Sequence, residues 1–391
     1  MERAAEAVAA LARATRPDLV AEVVREPTSG GFVLNAFGHE FTNAFNNLTN
    51  VVLRISPRGR EHVPGVLLNA HYDSALGSPG ASDAASCVGV ALEVARTLVA
   101  DSSRALDAPV VVLLNGGEET LMQAAQGFLE SGAFSRNLGA FLNLESTGPW
   151  GPEILFQSTN DWTLGTYLRA VPHPRCSSVF QDFFDLNLFP ADTDFRVLAK
   201  TRLGSLPGVD SAQLFDGVAY HTTQDDFGRI RRGTLQSSGE NALAATRAFA
   251  ARMLSQAERE RASRAQADLF SSFSEVDGED EEAEEAPASL RVSDQPEEGS
   301  VAFDVLGRWA VVYSHAAARV LHHVPLGVLV AAALMGSLLG SKAPRLLTLG
   351  STATSLGSNA ALALFSVVLA HVFPAALGAL RALVSGAQGA S

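Results

Sequence analysis

The 391-residue sequence predicts an α/β domain with a mostly parallel central sheet flanked by helices, followed by a C-terminal helical membrane segment. Three observations carry this. Between residues 51 and 270, short β-branched runs alternate with stretches of helical period, the pattern of strands joined by helical crossovers. The run VVVLLN (110–115) is apolar at every position until its last, as in a strand buried on both faces. Beyond an acidic stretch, the composition turns to long uncharged apolar runs.

Residues 1–24 mix Ala and Leu with Glu2, Arg3, Glu6, Arg13, Arg16, Asp18 and Glu22. They read as an amphipathic helix of the domain and lack the apolar centre of a secretory signal. Residues 51–56 and 63–70 read as successive strands. Residues 84–100 place Val88, Leu92, Ala95 and Leu98/Val99 at helical spacing. The strand at 110–115 is followed by a helix over 121–131, then by strands at 140–144 and 153–157. A helix over 162–171, a late strand at 205–214 and one or two closing helices over 234–270 complete the domain.

Chemistry-bearing residues fall where these strands end, the edge at which parallel sheets build sites. His71 and Asp73 follow the second strand in NAHYDS (69–74), and Asp83 lies in GASDAAS (80–86) before a helix. Glu118 and Glu119 follow the apolar strand in NGGEE (115–119); Glu145 closes another in NLESTG (143–148); His221 follows the late strand in YHTTQDD (220–226). Each has a plain alternative: Asp83 as a helix N-cap, the glutamate pair as solvated cap charges, His221 as a surface residue. Together they offer two imidazoles and several carboxylates, a set suited to zinc or a related transition ion. Asp83, between two His/carboxylate pairs, would bridge two metals about 3.5–4 Å apart.

These blocks, with PADTDF (190–195), resemble the zinc aminopeptidases of family M28, most of all its endoplasmic reticulum metallopeptidase branch. The resemblance implies two zinc ions, one held by His71 and Glu145, the other by Glu119 and His221, with Asp83 between them. It implies Glu118 as general base, Asp73 as the carboxylate orienting His71, and Tyr220 as a donor to the tetrahedral oxyanion. Asp192 matches an aspartate in the loop before the last ligand. Gly116-Gly117 departs from the family's more frequent Gly-Ala. The implied reaction is hydrolysis of N-terminal peptide bonds. A cyclising single-zinc enzyme of the glutaminyl cyclase type and a non-catalytic ectodomain are the alternatives; the latter would lack a ligand or base, and none is missing.

The net charge of −13 arises largely from the acidic run near residues 275–285, and no basic patch with interleaved aromatics points to nucleic acid. Cys87 and Cys176 are the only cysteines, too few for a disulfide framework or a Cys-based zinc site. The organisation expected is a peptidase-like domain over 1–270, a disordered acidic linker over 271–300, and a membrane region of two to three spans over 301–391. The spans are residues 324–340, 346–370 and a third beginning near 373. Lys342 and Arg345 between the first two place that loop in the cytosol and the catalytic domain in the lumen of the endoplasmic reticulum. Translocating the domain needs a signal not found here, so the N-terminus is expected to be truncated. Asn47-Leu48-Thr49 is then a glycosylation sequon. Expected partners are a peptide N-terminus and membrane lipid.

Overall fold

The computed structural model describes residues 1–36, 39–186, 188–189, 191–200, 205–274, 300–305 and 308–321. Helix α1 (Glu2–Thr15) leads into a long antiparallel pair, β1 (Leu19–Ala36) and β2 (His39–Pro57). Then follow β3 (Gly65–His71), α2 (Cys87–Ala100), β4 (Val110–Asn115), α3 (Gln123–Ser131), β5 (Leu138–Ser146) and β6 (Trp150–Ser158). Helices α4 (Asp161–Ala170), α5 (Val179–Asp185) and α6 (Phe195–Leu198), strand β7 (Gly208–Phe215) and helix α7 (Thr234–Ser274) close the main body. A separate hairpin, β8 (Ser300–Val305) with β9 (Trp309–Ser314), comes last.

The sheet has seven strands in the order β1-β2-β4-β3-β5-β7-β6. Its centre, β4-β3-β5-β7, is parallel, and the flanking strands run antiparallel. The four parallel strands therefore end on one edge, where His71, Asn115 and Glu145 arrive together. The larger core joins one face of the sheet to α1, α2, α4 and α7, and a smaller one joins the other face to α3 and α6.

The expected N-terminal helix over 1–24 is shorter in the structure. Pro17 disfavours helical backbone at Arg16, which sits at φ −132°, ψ 77°. The buried Arg16 guanidinium donates instead to the carbonyls of Val99 (3.2 Å) and Asp101 (2.9 Å), so it caps the end of α2. From Leu19 onward the chain alternates as a strand. The expected strand at 51–56 is only the final part of the 19-residue β2, whose Asn-rich first half carries no β signal. Helix α5 and the hairpin also escaped the sequence pattern. The hairpin occupies the start of the 301–391 region expected to be helical; the apolar runs at 324–340 and 346–370, and most of the acidic linker, lie outside the described residues. Among the described residues, no helix is long and apolar enough to cross a membrane.

One row of polar side chains crosses the buried sheet just beneath the site. Asn69 on β3 donates to Asn143 Oδ1 on β5 (2.7 Å) and to Asp194 Oδ2 (2.8 Å). Asn115 on β4 donates to the same Asp194 oxygen (2.6 Å) and to Asn69 (3.2 Å). Asn143 and Gln157, on β5 and β6, donate to Asp210 on β7 (3.0 and 3.2 Å). Asn69, Asn115, Asn143, Asp194 and Asp210 are all fully buried. Burial pushes the Asp194 carboxyl up to about 7 and Asp210 well above the usual range. Asn69→Ala would orphan several of these groups at once. It is expected to cost about 2–4 kcal/mol, read as a lower urea midpoint at unchanged slope.

Candidate metal centre and active site

Five loops or strand ends bring the predicted ligands together. Asp83 lies between the imidazoles: its Oδ1 is 3.2 Å from His71 Nε2 and its Oδ2 is 3.2 Å from His221 Nε2. Glu145 Oε2 lies 3.5 Å from His71 Nε2, and Glu119 Oε2 lies 3.0 Å from His221 Nε2. Each imidazole thus faces Asp83 and one glutamate. His71 Nδ1 sits 3.1 Å from the Asp73 backbone carbonyl, which can only accept; this places a ring proton on Nδ1 and turns Nε2 toward Asp83 and Glu145.

The helix-cap alternative for Asp83 does not hold. Helix α2 begins at Cys87 with Ser86 as its N-cap, and Asp83 sits in the preceding Ala81–Ser86 turn with non-helical φ/ψ. That turn is held by Asp225, a residue outside the predicted ligand set. Its Oδ1 accepts from the Ser82 amide (2.9 Å) and hydroxyl (2.6 Å), and its Oδ2 from the Asp83 amide (3.1 Å). The signal was present, since Asp225 lies four residues beyond His221 in YHTTQDD.

Asp73 acts more broadly than expected. Its carboxylate is 3.5 Å from His71 Nδ1, and it also accepts from the amides of Glu118 (3.2 Å) and Glu119 (3.1 Å). One side chain therefore fixes the position of both glutamates relative to the first histidine. The first of the two preceding glycines is sterically required. A Cβ on Gly116 would lie 2.3 Å from the Tyr72 hydroxyl, itself bonded to the Thr49 carbonyl (2.6 Å). A Cβ on Gly117 would lie 2.7 Å from a Leu48 methyl.

Glu118 and Tyr220 line a cavity of about 290 Å³ with Asp83 and Glu145. Burial pushes the Glu118 carboxyl well above its usual range, against the pull of His71. Burial likewise raises Glu119 to about 7, helped by Asp83, and keeps the Tyr220 hydroxyl protonated. His71 is pushed down by burial, yet Asp73, Asp83 and Glu145 outweigh it and hold the ring well above its ordinary value. The Tyr220 and His221 rings stack, centroids 3.7 Å apart. Asp192 lies on the cavity wall but pairs with Arg196 and accepts from the Thr193 amide (3.0 Å).

This arrangement fits a cation. His71, Asp83 and Glu119 alone place one ligand atom each within 4.8 Å of one another. Glu119 Oε1 is buried with no hydrogen-bond partner. Carboxylate oxygens brought together in a buried site repel unless positive charge, on an imidazolium or a bound cation, lies between them.

The sequence profile described as Peptidase family M28 matches residues 50–246. The chain belongs to this family. Among M28 relatives, the human protein named endoplasmic reticulum metallopeptidase 1 is 42% identical over 224 residues, 56% of this chain and 24% of that protein. A Schizosaccharomyces pombe protein named putative endoplasmic reticulum metallopeptidase 1 is 36% identical over 57% of this chain and 27% of its own length. A Meyerozyma guilliermondii vacuolar membrane protease is 31% identical over 50% of this chain and 20% of its own. The match thus spans about a quarter of the length of these relatives.

Asp225→Ala in this M28 domain should loosen the turn that carries Asp83. Amide hydrogen exchange across residues 80–86 is expected to quicken about 10–100-fold, the loss of charge-assisted hydrogen bonds. Unchanged exchange there would show that Asp225 does not hold the turn.

Proposed function

We propose that this chain is a two-zinc aminopeptidase acting on peptide N-termini, tethered to an endomembrane. The observation that carries the reading is the single Asp83 carboxylate with an imidazole 3.2 Å from each oxygen and a glutamate beside each imidazole. In this reading His71, Glu145 and Asp83 hold one zinc ion, and His221, Glu119 and Asp83 the other. Bound there, zinc supplies Lewis-acid polarisation of the scissile carbonyl and lowers the pKa of the attacking water.

The chain's own residues then divide the remaining work. Glu118 faces the cavity and is no part of either ligand pair, so it is free to take a proton from the attacking water and pass it to the leaving amine. Tyr220 carries a protonated hydroxyl on the same cavity wall and serves as donor to the oxygen that becomes negative. Asp73 and Asp225 take no proton; they hold the backbones that present Glu118, Glu119 and Asp83.

The names of the relatives, endoplasmic reticulum metallopeptidase and vacuolar membrane protease, support an endomembrane location. The tether is the pair of apolar runs at 324–340 and 346–370, with Lys342 and Arg345 cytosolic and the catalytic domain luminal. Asn47 is exposed in this orientation and its sequon would meet the luminal glycosylation machinery.

Two measurements test the reading. Metal analysis of the zinc-loaded chain is expected to return two zinc per chain, and about one in His221→Ala; a wild-type value of one would remove the two-ion mechanism. Glu118→Gln is expected to keep the metal and lose about 10²–10⁴-fold in kcat on aminoacyl substrates, and undiminished turnover would remove Glu118 as the base.

A further inference from the structure

The cavity's outer wall is aromatic. Phe156 lies on β6, Phe180 and Phe184 on α5, and Phe189 on the loop that follows; all four line the cavity with Leu214 and Ala212. Phe184 packs against Phe156 with centroids 5.5 Å apart and against Phe189 at 5.1 Å, and Phe183 reaches Phe189 at 5.2 Å. Among the described residues no basic side chain lines this space; its acids are Asp83, Glu118 and Glu145 at the candidate metal centre and Asp192, which is already paired with Arg196. The volume of about 290 Å³ exceeds that of a leucine or phenylalanine side chain.

Helix α5 cannot hold this wall unaided. It has only seven residues, short of what is stable in isolation, and none of them is buried. Besides the packing of Phe184 on Phe156, hydrogen bonds restrain it and the segment that leads into it. Gln181 accepts from the Ser158 amide (2.9 Å) on β6. The residues just before α5 are bonded to the hairpin: Ser178 donates to the Ala302 carbonyl (3.0 Å), and Ser178 Oγ accepts from the Ala302 amide (3.3 Å). The Asp304 amide donates to the Cys176 carbonyl (3.2 Å), and the Asp304 carboxylate accepts from the Cys176 amide (3.3 Å). Cys176 in turn bridges to Leu155 on β6, so β8 extends the sheet edge through this segment.

We infer that the β8–β9 hairpin, although it follows the acidic stretch, is a positioning element of the active-site cleft. It fixes the start of α5, so that Phe180, Phe184 and Phe189 form the wall of a pocket for a bulky apolar side chain at the substrate's N-terminus. This rests on the aminopeptidase reading for the chemistry, and its test does not require turnover.

The test is binding of L-leucinol against L-alaninol to the zinc-loaded full chain by calorimetry; both carry the amine and side chain and neither has a scissile bond. L-leucinol is expected to bind at least about tenfold tighter, since each further carbon buried in an apolar pocket counts severalfold. Phe184→Ala should erase most of that preference by weakening L-leucinol. Ala302→Pro, which removes the amide that bonds Ser178, should do the same while L-alaninol affinity stays within about twofold; Ala302→Val, which keeps the amide, should leave the preference intact. If Ala302→Pro does not fold, Asp304→Ala makes the same comparison. No preference in the unaltered chain, or a preference that survives Phe184→Ala, overturns the pocket. A preference lost in Phe184→Ala but kept in Ala302→Pro and Asp304→Ala overturns the hairpin's part. Selective amino-alcohol binding without hydrolysis of aminoacyl substrates would instead sink the peptidase reading and leave this inference standing.

Discussion

A carboxylate with an imidazole at each oxygen is the constraint around which the domain is arranged. Asp83 is buried, and the groups nearest it are two histidine nitrogens, with Glu145 and Glu119 beyond them. In apolar surroundings that concentration of acceptors is unfavourable without positive charge in their midst. The surrounding hydrogen bonds hold the acceptors in place regardless. Asp225 grips the turn from which Asp83 projects, and Asp73 grips the two amides from which Glu118 and Glu119 project. Beneath them, Asn143 donates both to Glu145 (3.1 Å) and to Asp210, tying a ligand-bearing strand into the buried row. A site of this kind is preorganised by its protein shell rather than assembled by its cargo.

Much of this was legible along the chain, for a definable reason. Strands β3, β4 and β5 are short, apolar and end abruptly in polar residues, so the position of His71, Glu118-Glu119 and Glu145 at one edge follows from parallel topology. The supporting residues were harder to see. Asn69 and Asn143 each stand two residues before a ligand, and Asn115 opens the loop to the glutamates, yet an asparagine at a strand end reads equally well as a turn residue. Their partners, Asp194 and Asp210, come from far along the chain, and only tertiary structure shows that the five side chains meet.

The elements that pattern missed share a different cause. Strands β1 and β2 are joined to each other along nearly their whole length, so their order comes from cross-strand pairing, and the Asn- and Thr-rich portion of β2 has no local preference for it. Helix α5 is too short for a period, and the hairpin gains its place by bonding to residues 176–178. Arg16 shows the reverse effect. A charged residue that looked like the polar face of one helix is buried, capping the end of another.

The transverse row of amides and acids has a consequence for how the chain tolerates change in length. Side chains on a strand alternate between faces, so one residue added or removed upstream within β3, β5 or β7 would turn Asn69, Asn143 or Asp210 toward the opposite, hydrocarbon-filled side. Such a frame error would leave polar groups stranded in both layers simultaneously. The row therefore serves as a key that admits a single alignment of the central strands, so that a change of length is absorbed in the connecting loops and not within the strands.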